Sequence, residues 1–118
     1  MTTTDERLEA NVKNIADTLS NPEEWQKEFL EDNPEEAELG ITPLGMEWLR
    51  DVLDIRYIVN SEGQFISAQV LVAFGGPNIW VNFDTKTVEG YWGGDRATAY
   101  FTDELGIEDA LEELWSTR

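Results

Sequence analysis

Between Gln64 and Trp92 the chain reads as three β-rich runs, QFISAQVLVAF, IWVNF and VEGYW, separated by GGPN and DTKT. Runs of strand-favouring residues bounded by turn formers predict an antiparallel meander. In an extended chain successive side chains point to opposite faces. Ile66, Ala68, Val70, Val72 and Phe74 therefore share the face expected to meet the core, and Phe65, Ser67, Gln69, Leu71 and Ala73 share the other. In the second run Ile79, Val81 and Phe83 take the core side, so Trp80 points away with Asn78, Asn82 and Asp84. Val88 and Trp92 are expected on the core side of the third run, leaving Tyr91 beside Trp80.

Upstream the spacing changes to that of helices. Leu8, Val12, Ile15, Ala16 and Leu19 predict an amphipathic helix over roughly residues 5–19. Asp5 and Glu6 in its first turn suit the positive end of the helix dipole. Ser20-Asn21-Pro22-Glu23-Glu24 predicts a second start, with Asn21 as cap, Pro22 as first helical residue, and Trp25 and Phe29 on the buried side. Asn33-Pro34-Glu35-Glu36 uses the same capping solution on unrelated flanks, and Gly40 is expected to end that short helix. Thr42-Pro43 then caps a third substantial helix whose stripe is Leu44, Trp48, Leu49, Val52 and Leu53.

Strand character begins near Ile55, where Ile55, Tyr57 and Val59 alternate with Arg56, Ile58 and Asn60, and Ser61-Glu62-Gly63 turns into the central run. After Trp92, Gly93-Gly94-Asp95 turns into a short strand from Ala97 to Phe101. A last helix is expected to start at Thr102 or Asp103 and to carry Leu105, Ile107, Ala110, Leu111, Leu114 and Trp115. Helices, then four to five antiparallel strands, then a helix make an α+β fold with the helices packed on one face of a meander sheet. A chain of 118 residues suits one domain, an acidic helical region over 1–40 followed by a helix, the sheet and the last helix over 41–118. The first 40 residues hold too few apolar side chains for their own core and are expected to dock on the sheet.

Charge is where the composition departs from the ordinary. With 25 acidic and 8 basic residues the formal charge is -17. That disfavours direct binding to nucleic acid or an anionic membrane and favours solubility, a cationic partner, or both. Without cysteine or histidine, disulfides, thiolate metal sites and the commonest general base are unavailable, in keeping with a cytoplasmic protein that needs no cofactor and no metal. The polar start Met1–Thr4, and the lack of any apolar run near the roughly 18 residues of a membrane span, predict no signal peptide and no anchor.

The acids are clustered. Glu23, Glu24, Glu28, Glu31, Asp32, Glu35, Glu36 and Glu38 stand against Lys27 alone, and Glu24, Glu28, Glu31, Glu35 and Glu38 step by 4, 3, 4 and 3. Pro34 removes a backbone donor and clashes with the preceding turn, so two short acidic helices joined at Asn33 are expected. The last helix adds Asp103, Glu104, Glu108, Asp109, Glu112 and Glu113, with no base before Arg118. Like charges one turn apart each cost about 0.2–0.5 kcal/mol, which alternating lysines would have relieved. One reading is a solvated surface. The other is that the carboxylates stand in for phosphates and attract a groove lined with lysine and arginine. Trp80 and Tyr91, if uncovered, suit an interface anchor; a doubly covered sheet would make Trp80 core instead.

Little here suggests catalysis. Gly75-Gly76-Pro77-Asn78 lacks the lysine of a phosphate loop and is followed by a strand, so a hairpin is expected. Gly93-Gly94-Asp95-Arg96 reads as a turn with Arg96 pairing a nearby acid. Paired carboxylates could serve glycoside hydrolysis or a divalent cation, but among so many acids such pairs carry no specificity, and no calcium loop is present. The expectation is a protein that is not an enzyme.

In size, charge, the acidic stretches Glu23–Glu38 and Asp103–Glu113, and the compact α+β layout, the chain resembles small acidic phage and mobile-element inhibitors of host defence, the anti-CRISPR and anti-restriction proteins that include DNA mimics. GGPNIWVNFDTKTVEGYW also resembles a hairpin of phage-associated proteins. The resemblance implies an inhibitor that blocks the cationic DNA or RNA site of a nucleic-acid-handling defence protein. Glu24, Glu28, Glu31, Asp32, Glu35, Glu36, Glu38, Glu108, Asp109 and Glu112 are the expected charge-matching residues, with Trp80 and Tyr91 as anchors. An immunity protein for a basic toxin, and an acidic ligand-binding or regulatory module, are the alternatives.

Overall fold

The computed structural model describes residues 6–40 and 44–118. The expected contribution of Asp5 and the Thr42-Pro43 cap lie outside them. Helices α1 (Glu6–Ser20), α2 (Glu23–Asp32), α3 (Pro34–Leu39) and α4 (Gly45–Trp48) precede a 3-10 turn over Leu49–Asp51. Strands β1 (Asp54–Val59), β2 (Phe65–Ala73), β3 (Asn78–Asn82), β4 (Thr87–Trp92) and β5 (Asp95–Tyr100) form one sheet in sequential order, every pair antiparallel. Helix α5 (Ile107–Ser116) closes the chain. The architecture is the expected α+β meander.

The core lies between one face of this sheet and the helices. Val70, Val81 and Val88 lie in one cross-strand row and are fully buried, with Ile79 and Phe83 on the same face. Leu8, Val12, Ala16 and Leu19 bury the inner stripe of α1 against β4 and β5. Gly90 permits that approach. A Cβ there would stand 2.6 Å from Val12 Cγ2 and 2.7 Å from Leu8 Cδ1. Helix α5 brings Ile107 and Leu111 into the same core, and Trp115 meets the Tyr57 ring at 5.2 Å. Phe83 sits edge-on to both Trp48 and Phe101.

Two bulges revise the central strand. Ile58 pairs with Ser67 but Val59 with Phe65, so Ile66 is unpaired; Leu71 pairs with Trp80 but Ala73 with Ile79, so Val72 is unpaired. An extra residue shifts the alternation by one position. Phe65 therefore reaches the Tyr57 ring and Ala73 packs at the core margin. Ile66 and Phe74, expected in the core, are left 50% and 72% exposed. Only Ala68 and Val70 of that set are fully buried, with Val72 partly so.

The expected third helix shrinks to one turn. Gly45 packs so tightly that a Cβ would lie 2.7 Å from the Leu105 carbonyl oxygen, and Val52 is already extended (φ -74, ψ 151), which leaves Leu53 exposed. The Leu53 N–H instead donates to the Leu71 oxygen at 2.7 Å, so sheet pairing takes the residues the helix would have used. The last helix starts at Ile107, not at Thr102 or Asp103, because Gly106 turns left-handed (φ 69) just before it. Trp92 faces the α1 side as expected, but at the sheet's end beside Arg7 and Pro77, and stays half exposed.

Candidate protein-interaction surfaces

The acidic arm is built by helices that begin and end abruptly. Asn21 does not cap α2: its N–H still donates to the Asp17 oxygen of α1 (2.8 Å), and Pro22 occupies the cap position. The side chain of Asn33 (φ -132, ψ 71) closes α2 by donating to the Phe29 oxygen at 2.9 Å, and Pro34 opens α3. Trp25 and Phe29 stack at 5.5 Å and rest with Leu30 on the margin of the core. No residue of helix α3 is fully buried. The Cα radius of gyration, 15.3 Å, exceeds the about 13.5 Å of a compact chain this long, consistent with an arm standing off the body.

Along that arm Glu24, Glu28, Glu31, Asp32, Glu35 and Glu38 are exposed and Glu36 is half-buried. The break at Asn33 ends the 4-3-4-3 stripe as one continuous face. Among the described residues none of these carboxylates makes an ion pair; Arg56 pairs with Asp54 (3.6 Å), Lys86 with Glu108 (3.3 Å) and Arg96 with Glu89 (3.5 Å).

The acids of α5 divide. Asp109 and Glu112 are exposed. Glu108 is committed to the fold: it accepts from the Ser67 hydroxyl at 2.7 Å and pairs with Lys86, whose ammonium also donates to the Phe83 oxygen at 2.6 Å. Grouping Glu108 with the outward acids is therefore corrected. Asp103 is likewise occupied, accepting the N–H groups of Ile107 (2.9 Å) and Glu108 (2.8 Å), which caps α5.

Trp80 and Tyr91 share the reverse face of the sheet. Asp54, Leu71, Trp80, Glu89 and Thr98 form one cross-strand row there, flanked by Asn78, Tyr91 and Arg96. The helices pack on the other side, so no described helix covers this face. Trp80 is half-buried, with the Arg56 guanidinium 4.6 Å from its ring centre, and Arg96 lies 5.8 Å from Tyr91. The expected anchors and the expected acidic helices thus occupy opposite sides of the sheet, and one flat partner cannot touch both. Sequence reading missed Arg56 as the cover of Trp80, since the two meet only through cross-strand register.

Charge follows the same division. Helices α2 and α3 hold eight acids against Lys27, and α5 holds four acids and no base. The strands hold Asp54, Glu89 and Asp95 against Arg56 and Arg96. A groove of about 360 Å³ between α1 and α2, lined mainly by Ile15, Trp25, Trp48 and Val52, offers Asn14, Thr18 and Asp51 as its polar groups. Among the described residues no His, Cys, Asp or Glu cluster has the arrangement to hold a metal, and no helix is long and apolar enough to cross a membrane. No family model, curated protein or solved structure matches the chain.

Proposed function

We propose that the protein is an acidic inhibitor that docks its α2–α3 arm and the outer side of α5 into the cationic DNA- or RNA-binding groove of a defence protein. One observation carries this reading: the negative charge is concentrated on α2, α3 and α5, where among the described residues no carboxylate except that of Glu108 makes an ion pair, while the strands are close to neutral. Acids needed only for solubility could be spread over the strands and interleaved with lysine. Crowding them one helical turn apart carries a repulsive cost that a basic groove would relieve. Glu24, Glu28, Glu31, Asp32, Glu35, Glu36 and Glu38 supply the arm, and Asp109 and Glu112 the outer side of α5; Glu108 positions the start of α5. The protein acts by occupancy and needs no catalytic group.

The test is a DNA-binding competition with purified restriction enzymes and CRISPR effectors. The protein should displace a labelled duplex, less effectively as salt rises. The triple reversal Glu28→Lys, Glu31→Lys and Glu35→Lys should abolish displacement while leaving the circular dichroism spectrum unchanged. Displacement of equal strength by the triple variant would exclude the arm as the binding surface.

A further inference from the structure

The uncovered face of the sheet differs in charge from helices α2, α3 and α5. Its central rows carry two acids, Asp54 and Glu89, and two arginines, Arg56 and Arg96, paired with each other at 3.6 and 3.5 Å. Two chains of charge -17 repel over most orientations. Through this face they would meet on a nearly neutral surface, with the acidic helices of both copies turned outward. We propose that this face binds the same face of a second copy, forming a two-fold homodimer with Trp80 at its centre.

Position and composition agree with that occupant. Trp80 lies in the middle strand of five and in the middle cross-strand row, so it falls where a two-fold axis would bring a residue against its own mate. Leu71 and Tyr91 adjoin it, and Tyr100, 80% exposed, lies toward one edge. Interfaces are enriched in tryptophan, tyrosine and arginine, and their strongest residues cluster near the centre. Five strands at about 4.8 Å and six residues at about 3.4 Å each give a face of about 24 by 20 Å. That is about 1,000 Å² for the pair before side-chain relief is added, the lower end of specific interfaces. A reversible dimer of micromolar strength is expected. It would present two acidic arms.

Sedimentation equilibrium of the full chain from about 1 to about 500 μM tests the proposal, a range that brackets micromolar dissociation constants. The expected mass rises to twice the 13.4 kDa of one chain. Raising salt from about 0.05 to about 0.5 M should tighten the dimer, because the Debye length falls from about 14 to about 4 Å and the repulsion between outer acids is screened. That response is opposite in sign to the one expected for the arm and its partner. Trp80→Ala should weaken the dimer about 30-fold or more. Tyr100→Glu, at an exposed position where the fold tolerates charge, should weaken it by introducing two like charges. The reversal Glu28→Lys, Glu31→Lys and Glu35→Lys should leave a dimer in place, so failure of one proposal is distinguishable from failure of the other. A monomer throughout at high salt, or a dimer unchanged in both Trp80→Ala and Tyr100→Glu, would overturn this one.

Discussion

Replacing Glu108 by alanine separates two carboxylates that the sequence presents as equivalent. Glu108 and Glu112 are one turn apart on α5, but only Glu108 has internal partners. The substitution leaves the Ser67 hydroxyl, on a residue 1% exposed, without its acceptor; an orphaned buried polar group costs about 1–3 kcal/mol. The Lys86 pair is more than a third exposed on both sides and contributes little, at most about 0.5 kcal/mol after solvent screening. Loss of a first-turn acid from α5 adds about 0.3 kcal/mol, which relief of the repulsion with Glu112, one turn on, offsets. A destabilisation of about 2 kcal/mol is expected. With an m-value of about 1.5 kcal/mol/M, the urea midpoint should fall by about 1.3 M. Glu112→Ala should instead leave the midpoint unchanged or raise it slightly, since it relieves a like-charge contact of about 0.2–0.5 kcal/mol. Tryptophan fluorescence in urea reads both. Pairing Glu108→Ala with Ser67→Ala should recover part of the loss, because removing both partners leaves no orphan. Equal midpoints for Glu108→Ala and Glu112→Ala would refute the assignment.

Other substitutions probe the remaining devices. Asp103→Ala removes both acceptors at the start of α5 and should cost about 1–2 kcal/mol; Asp103→Asn, which keeps one acceptor, should cost about half of that in the same urea titration. Gly45→Ala drives a Cβ into backbone atoms of Leu105 and Gly106 that have no rotamer to yield, and should lower the thermal midpoint by an amount matching about 2–3 kcal/mol. Gly90→Ala meets the movable ends of Val12 and Leu8 and should cost less than Gly45→Ala, by calorimetry.

Local chemistry made much of this molecule legible. Alternation put Ile79 and Val81 on one side of β3 and Trp80 on the other because side-chain direction in an extended chain is set by the backbone of each residue. Pro34 divided the acidic stretch into two helices because its ring forbids the preceding turn. The concentration of charge is composition and needs no fold to be seen.

Contacts between distant segments decided the rest. The bulges at Ile66 and Val72 depend on the register of the neighbouring strands, so the alternation of β2 alone placed Ile66 and Phe74 wrongly. Leu44 to Leu53 has a helical pattern, but pairing with β2 and the close seat of Gly45 withdrew most of it from helix. Glu108 and Glu112 have the same intrinsic chemistry and differ only in what lies across from them, forty-one residues earlier at Ser67. Whether an acid faces solvent or a partner within the fold is a matter of tertiary distance, and intervals along the chain do not encode it.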